Sequence, residues 1–150
     1  MKLKLLLSVL ILYRSNFHNL HWNSKGKSFD RIHVQITDDY MGLMDKYIDI
    51  VGEMITRLGD NPPNLLETIH IIEESDKNIF VVHSDDLYDL EDVIKCSDIM
   101  LRDVIELIKD AYEEPEIQDE FSNVGIKATL EGMVDEFDIQ YRYLNKRRMM

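Results

Sequence analysis

The chain has 150 residues, enough for one domain with a buried core. Its 45% hydrophobic content, three prolines and six glycines suit a soluble globular chain with long helices. The net charge of -12 argues against nonspecific attraction to nucleic acid over the whole surface, and the single cysteine, Cys96, excludes an internal disulfide and fits a reducing, cytoplasmic compartment.

Charge is uneven along the chain. Residues 1 to 29 carry Lys2, Lys4, Arg14, Lys25 and Lys27 and no acid, so they hold +5 and the remainder -17. A short basic run, Lys146-Arg147-Arg148, closes the chain. The opening MKLKLLLSVLIL has the outline of a signal peptide. No small-x-small cleavage site follows, however, and the apolar run is too short to span a bilayer. It reads as the buried face of a first helix, and no membrane partner is expected.

Residues 3 to 22 form that helix, with Leu6, Val9, Leu10, Tyr13, Phe17 and Leu20 recurring at steps of three and four. Leu5, Leu7, Ile11 and Leu12 widen the apolar surface beyond one stripe, which points to subunit packing. Asn23 to Ser28 is a loop. A second helix runs from about Phe29 to Leu58, with Ile32, Ile36, Tyr40, Leu43 or Met44, Tyr47, Val51, Met54 or Ile55 and Leu58 on its core stripe. Gly59 caps it, and Pro62-Pro63 forbids continuation. Residues 64 to 72, NLLETIHII, make a short apolar helix whose excess of apolar surface again points to a subunit contact. Polar loop follows from Glu73 to Asn78, then an extended or turning Ile79 to Val82.

Ser84-Asp85-Asp86 predicts the start of a third helix, with Leu87, Leu90, Ile94, Leu101, Val104, Ile105 and Ile108 facing inward as far as Tyr112. Ser122-Asn123 caps a fourth, with Leu130, Met133, Val134, Phe137, Tyr141 and Leu144 as its core positions. Four long helices with one long crossover, holding a short helix between the second and third, predict an all-α, ferritin-like four-helix bundle spanning residues 1 to 150.

Chemistry concentrates between His18 and Glu53. His21 ends the first helix and His33 lies early in the second; Asp45, Asp49 and Glu53 follow at four-residue steps on one helical face. Neutral imidazole with carboxylate suits iron or another first-row ion. An isolated histidine at a helix end is ordinarily hydrogen-bonded and inert, and a charge stripe is ordinarily a solvated face. Occurring together, on a helix expected to be buried by assembly, they argue for a cation that relieves otherwise costly buried charge.

The run HNLHW-N-x-K-G-x-x-F-x-x-x-H, carried by His18 to Trp22, Asn23, Lys25, Gly26, Phe29 and His33, resembles the Dps-like mini-ferritins of the ferritin-like superfamily. So do Asp49-x-x-x-Glu53 and the helix stop Leu58-Gly59 before Pro62. The resemblance implies a hollow dodecamer of tetrahedral symmetry with metal sites across a two-fold interface. His21 and His33 would come from one chain, Asp49 and Glu53 from its neighbour. It implies a ferroxidase that binds iron, oxidises Fe(II), preferably with hydrogen peroxide, and stores ferric mineral against oxidative damage. It also implies that Trp22 lies beside the metal.

Two departures from the family pattern stand out. Thr37 occupies the position where an aspartate is usual, with Asp38 beside it, and Tyr40 to Asp49 is one residue longer than usual. A single π turn would absorb the extra residue and carry Asp38 towards the place Thr37 leaves, so Asp38 joins the candidate metal ligands. These departures define the competing expectation, a Dps-like shell or structural protein with weakened or lost ferroxidase activity.

The remaining features carry less. Asp45 reads as solvent-facing or outside the ligand set, and His18 as packing. Glu67-x-x-His70 has the spacing of half a di-iron site, but a carboxylate di-iron centre needs two such pairs on long helices. Glu113, Glu114, Glu116, Asp119 and Glu120 make an acidic turn that in a symmetric shell could ring a pore. Cys96 reads as a small buried hydrophobe. The overall charge and the lack of a long basic arm make direct DNA binding weak or absent.

Overall fold

The computed structural model describes residues 1–27, 29–118 and 123–148, with side chains other than those of 35, 37 and 145–148. Its helices are α1 (Lys2–Trp22), α2 (Phe29–Val34), α3 (Gly42–Arg57), α4 (Leu65–Glu74), α5 (Leu90–Tyr112), α6 (Pro115–Gln118) and α7 (Val124–Arg148). A π-helical stretch, Gln35–Met41, joins α2 to α3 without a break, so 29–57 is one helical rod. The described residues contain no strand. Four long rods with α4 in the crossover form the ferritin-like bundle, α1 packing on α3 and α5, and α5 on α7.

The core is the stripe set expected from periodicity. Leu6, Val9, Leu10, Tyr13, Phe17 and Leu20 of α1 meet Ile32, Ile36, Tyr40, Met44, Val51 and Ile55 of the second rod. Met100, Leu101, Val104 and Ile108 meet Leu130, Met133, Phe137 and Leu144. The π stretch has a physical reason in this pattern. Ile32, Ile36, Tyr40 and Met44 are all buried and succeed one another at steps of four. Each such step overshoots an α turn of ~3.6 residues, and a wider turn returns the side chains to the core. The extra residue is thus taken up between His33 and Asp49, on the N-terminal side of α3.

Helix ends follow local chemistry. Gly59 takes φ +83 after α3, while Asp60 N–H bonds back to the Ile55 carbonyl at 3.2 Å, a Schellman stop. α4 opens with a capping box in which Asn64 and Glu67 each accept the other's backbone N–H.

Two expectations are corrected. The third long helix starts at Leu90, not at Ser84. Asp89 and Asp92 form a full capping box there, whereas Tyr88 is held in a bridge to Ser24, donating its N–H to Asn23 and accepting from Lys25 N–H. Leu87 therefore lies outside the helix and is exposed. Second, much of the broad apolar surface of α1 is covered within the chain. α4 lies along α1, and Leu5, Ile11 and Leu12 pack partly buried against the core. The face still open is on α4 itself, where Leu65, Leu66 and Ile69 are exposed. The opening segment is the start of α1, and among the described residues no helix is long and apolar enough to cross a membrane.

The crossover is tied down by two side chains that periodicity had placed on, or passed over near, an apolar stripe. Asn16, buried in α1, donates to the Phe80 carbonyl at 2.9 Å and accepts from Val82 N–H at 3.4 Å. The Tyr13 phenol accepts from Phe80 N–H at 3.2 Å and donates to Asp103 of α5 at 2.8 Å. An asparagine one turn after Tyr13 and beside Phe17 of the core stripe was the available signal for such an anchor, since a buried amide needs partners.

Candidate metal centre

The loop after α1 reverses the chain so that the first turns of α2 lie against the last turn of α1. Gly26 makes this possible with φ +96, a conformation that side chains disfavour. Asn23 donates to the Ser84 carbonyl at 3.0 Å, and Ser24 Oγ donates to the His21 carbonyl at 2.9 Å. His21 and His33 are thereby brought edge to face, with ring centroids 3.8 Å apart and planes at 67°. Phe29 also packs on His33, with ring centroids 3.9 Å apart. His18 stacks on Trp22 at 3.7 Å and lies 6.3 Å from His21. Trp22 keeps 64% of its surface exposed, so within one chain it does not act as a buried anchor.

Electrostatics favour the neutral form of the His21 ring. Partial burial, the nearby His33 and then His18 all hold His21 below the ordinary histidine value. His33 Nε2 is buried and has no hydrogen-bond partner among the described residues. Such a nitrogen is costly to bury unless it is eventually given a proton, a donor or a metal. Two imidazoles in contact, one with an unsatisfied buried nitrogen, fit the donor set of a first-row ion.

The expected carboxylates lie elsewhere. Asp38 is exposed within the π stretch, and Thr37 shares that stretch, its side chain outside the described residues. Asp49 and Glu53 are exposed on α3. They follow His33 along one continuous rod by sixteen and twenty residues, about 24 and 30 Å at ~1.5 Å per residue. They cannot reach the histidines of their own chain. Accordingly, among the described residues no three His, Cys, Asp or Glu side chains stand together as a metal site. Asp45 pairs with Arg14 of α1 at 2.8 Å, which accounts for it without a metal.

The other candidates have structural partners. Glu67 caps α4, and His70 faces Glu74 at 3.0 Å, so the Glu67-x-x-His70 spacing serves the short helix. In the acidic turn, Glu114 accepts from the Lys2 backbone N–H, and its hydrogen bond to Glu116 lifts the Glu116 pKa. Asp119 and Glu120 lie outside the described residues, as does the capping Ser122. Cys96 is half-buried, and burial followed by the charge of Asp92 pushes its thiol up to about 11. It is therefore a protonated, unreactive side chain at neutral pH.

No protein-family model matches the chain. The DNA protection during starvation protein of Helicobacter pylori is 33% identical over 72 residues, a match spanning 47% of this chain and about half, 49%, of that protein. Among solved structures, Helicobacter cinaedi CAIP superposes with a TM-score of 0.83 at 18% identity, covering 97% of this chain and 96% of that one. Dps from Staphylococcus aureus gives 0.80 at 18% identity, covering 97% and 91%. Dps from Vibrio cholerae, described as one of a broad superfamily of ferritin-like diiron-carboxylate proteins, gives 0.80 at 20% identity, covering 97% and 85%. Along nearly its whole length this chain has the fold of the solved Dps structures, and over about half of it the sequence is similar to a DNA protection during starvation protein.

Proposed function

We propose that the protein is a mini-ferritin that assembles as a homo-oligomer, binds ferrous iron as substrate, oxidises it with hydrogen peroxide and stores the ferric product in a hollow dodecameric shell in the cytoplasm. The observation that carries this reading is the His21–His33 pair, with its unpartnered Nε2, lying too far from Asp49 and Glu53 of the same rod. A second copy related by a two-fold axis is the source of the missing carboxylates. The exposed Leu65, Leu66 and Ile69 of α4 support such a contact.

In this site His21 and His33 bind through neutral nitrogens, and the lowered His21 pKa keeps that ring ready at neutral pH. Asp49 and Glu53 of the neighbour bring negative charge. Carboxylate stabilises the ferric charge more than the ferrous, so electron loss becomes easier. Peroxide accepts the electrons, and removing it together with ferrous iron limits radical damage. In this reading Asp38, exposed on the π stretch beside Thr37, is a further candidate carboxylate for the site. Direct DNA binding stays weak at moderate salt, since the chain carries -12.

Anaerobic addition of ferrous iron followed by peroxide tests this. Stoichiometric ferric formation that is lost in His21→Ala and in Glu53→Ala is expected, with iron anomalous scattering beside both imidazoles in soaked crystals. Thr37 in place of an acid favours the second reading, a shell with weakened oxidation. Normal assembly with no peroxide-dependent oxidation would establish it.

A further inference from the structure

The crossover has one bonded edge and one open edge. Phe80 turns both its N–H and its carbonyl to α1, onto Tyr13 and Asn16, and Val82 turns its N–H the same way, onto Asn16. That is the alternation of an extended strand, with the Asn16 amide standing where a neighbouring strand would. The N–H and carbonyl groups of Ile79 and Val81 therefore point the other way. Neither residue has a hydrogen-bond partner among the described residues. The Tyr88 phenol takes both backbone groups of His83 and closes the edge there. Val81 itself is 54% exposed. A cavity of about 710 Å³ lies between residues 77–81 and 83 of the crossover and α5. Its α5 wall is Ile99, Arg102, Asp103, Glu106, Leu107 and Asp110, which share one helical face.

We propose that this cavity is a docking groove for an extended, basic peptide segment of another protein, which pairs as a strand with the open edge at Ile79 and Val81 and places a lysine or arginine against Asp103 and Glu106. Strand pairing gives partners to backbone groups that have none, which is how an open edge captures a peptide. From Ile99 to Asp110 the α5 wall runs about 16 Å at ~1.5 Å per residue, room for about five extended residues at ~3.3 Å each. Apolar side chains from one face of such a strand pack against Phe80, Ile99 and Leu107.

Charge selects the class of peptide. Of the three α5 carboxylates, Asp110 is engaged by Lys77 at 3.2 Å. Among the described residues Asp103 accepts only from Tyr13, and Glu106 has no ion-pair partner. Arg102 is the one lysine or arginine of the groove without an ion pair among them, so the two free carboxylates outweigh it. Asp103 and Glu106 lie one helical turn apart, close enough for a single basic group to reach both. Burial holds the Asp103 pKa above the ordinary aspartate value, and a cation beside it offsets that cost. The net charge of -12 draws a basic partner from a distance. A small amine would use the carboxylates but leave the backbone groups of Ile79 and Val81 unpaired.

A fluorescent, end-capped peptide alternating valine with lysine, titrated into the whole assembled protein at moderate salt and followed by anisotropy, tests this. Saturable binding is expected, with slowed amide hydrogen exchange in the segment 77–83. Val81→Pro removes an N–H that bonds nothing in the free protein and suits extended backbone, so the fold should persist while affinity falls about five- to tenfold. Glu106→Gln, at an exposed side chain, should weaken binding about three- to tenfold. A peptide of equal charge methylated on every backbone nitrogen should bind about tenfold more weakly. No saturable binding to the assembled protein, the result if a second copy fills the groove, overturns the proposal. So does a methylated peptide that binds as tightly as its parent, or spermidine that displaces the probe as well as unlabelled peptide does, since either means attraction to charge alone. Undiminished affinity in Glu106→Gln, or in Val81→Pro with native circular dichroism, also overturns it. If Val81→Pro fails to fold, Glu106→Gln and the methylated peptide decide the matter.

Discussion

A mixed-subunit experiment bears most directly on the proposed sharing of the site between chains. One variant, His21→Ala with His33→Ala, removes the imidazoles. The other, Asp49→Ala with Glu53→Ala, removes the carboxylates. The rod from 29 to 57 separates the two sets by about 24 Å or more, so neither variant can repair itself. At a two-fold interface each pair of chains carries two sites, each with imidazoles from one chain and carboxylates from the other. In a mixed pair one site has lost both sets and the other is intact. Random assembly from equal amounts makes half the pairs mixed, so about one quarter of all sites recover. Unfolding and reassembling the two variants together, then following peroxide-dependent ferrous oxidation, should give about a quarter of the wild-type amplitude. Each variant alone should give almost none. Recovery indistinguishable from zero in particles proven mixed by mass spectrometry would refute a site divided between chains.

Other consequences are accessible to stability measurements. Asn16→Ala leaves the Phe80 carbonyl and Val82 N–H without their α1 partner and should cost about 2–3 kcal/mol in urea unfolding; a loss below ~0.5 kcal/mol would mean the crossover is held by other contacts. Deleting Asp38 should convert the π stretch to α-helix and leave the bundle folded, whereas deleting Asp45 from α3 should turn the following core positions by ~100° and unfold it. Equal thermal midpoints for the two deletions would contradict that account. The His21 pKa is lower folded than unfolded, so its contribution to stability is present above about pH 6.5 and is lost as pH falls through the folded value, because the unfolded chain takes up the proton first. Melting temperatures of the iron-free protein should therefore decline less between pH 7 and about 5 in His21→Gln; parallel declines would remove His21 as a cause.

Periodicity alone marked out the four rods and their inner faces, because a side chain every three or four residues is buried wherever the rod meets its neighbours. Ile32 to Val51 and Leu130 to Leu144 lie where that rule puts them. The stop at Gly59 was also legible, since it depends on local backbone freedom. Contacts between distant segments were not. The helix expected at Ser84 was overruled by the bridge from Tyr88 to the loop after α1, a pairing sixty-odd residues apart that no local signal encodes. The same holds for Asn16 and Tyr13 gripping the crossover.

At the candidate site, residue types and spacing were enough to single out His21 and His33, but only the folded loop brings their rings to 3.8 Å. The extra residue between Tyr40 and Asp49 required some irregular turn, and the tertiary structure set where it falls, because packing of Ile36 and Tyr40 decides which turn widens. Whether an imidazole and a carboxylate meet is a matter of three-dimensional distance. A straight rod holds Asp49 and Glu53 away from their own histidines, and that rigidity is why a second copy of the chain has to complete the chemistry proposed for this one.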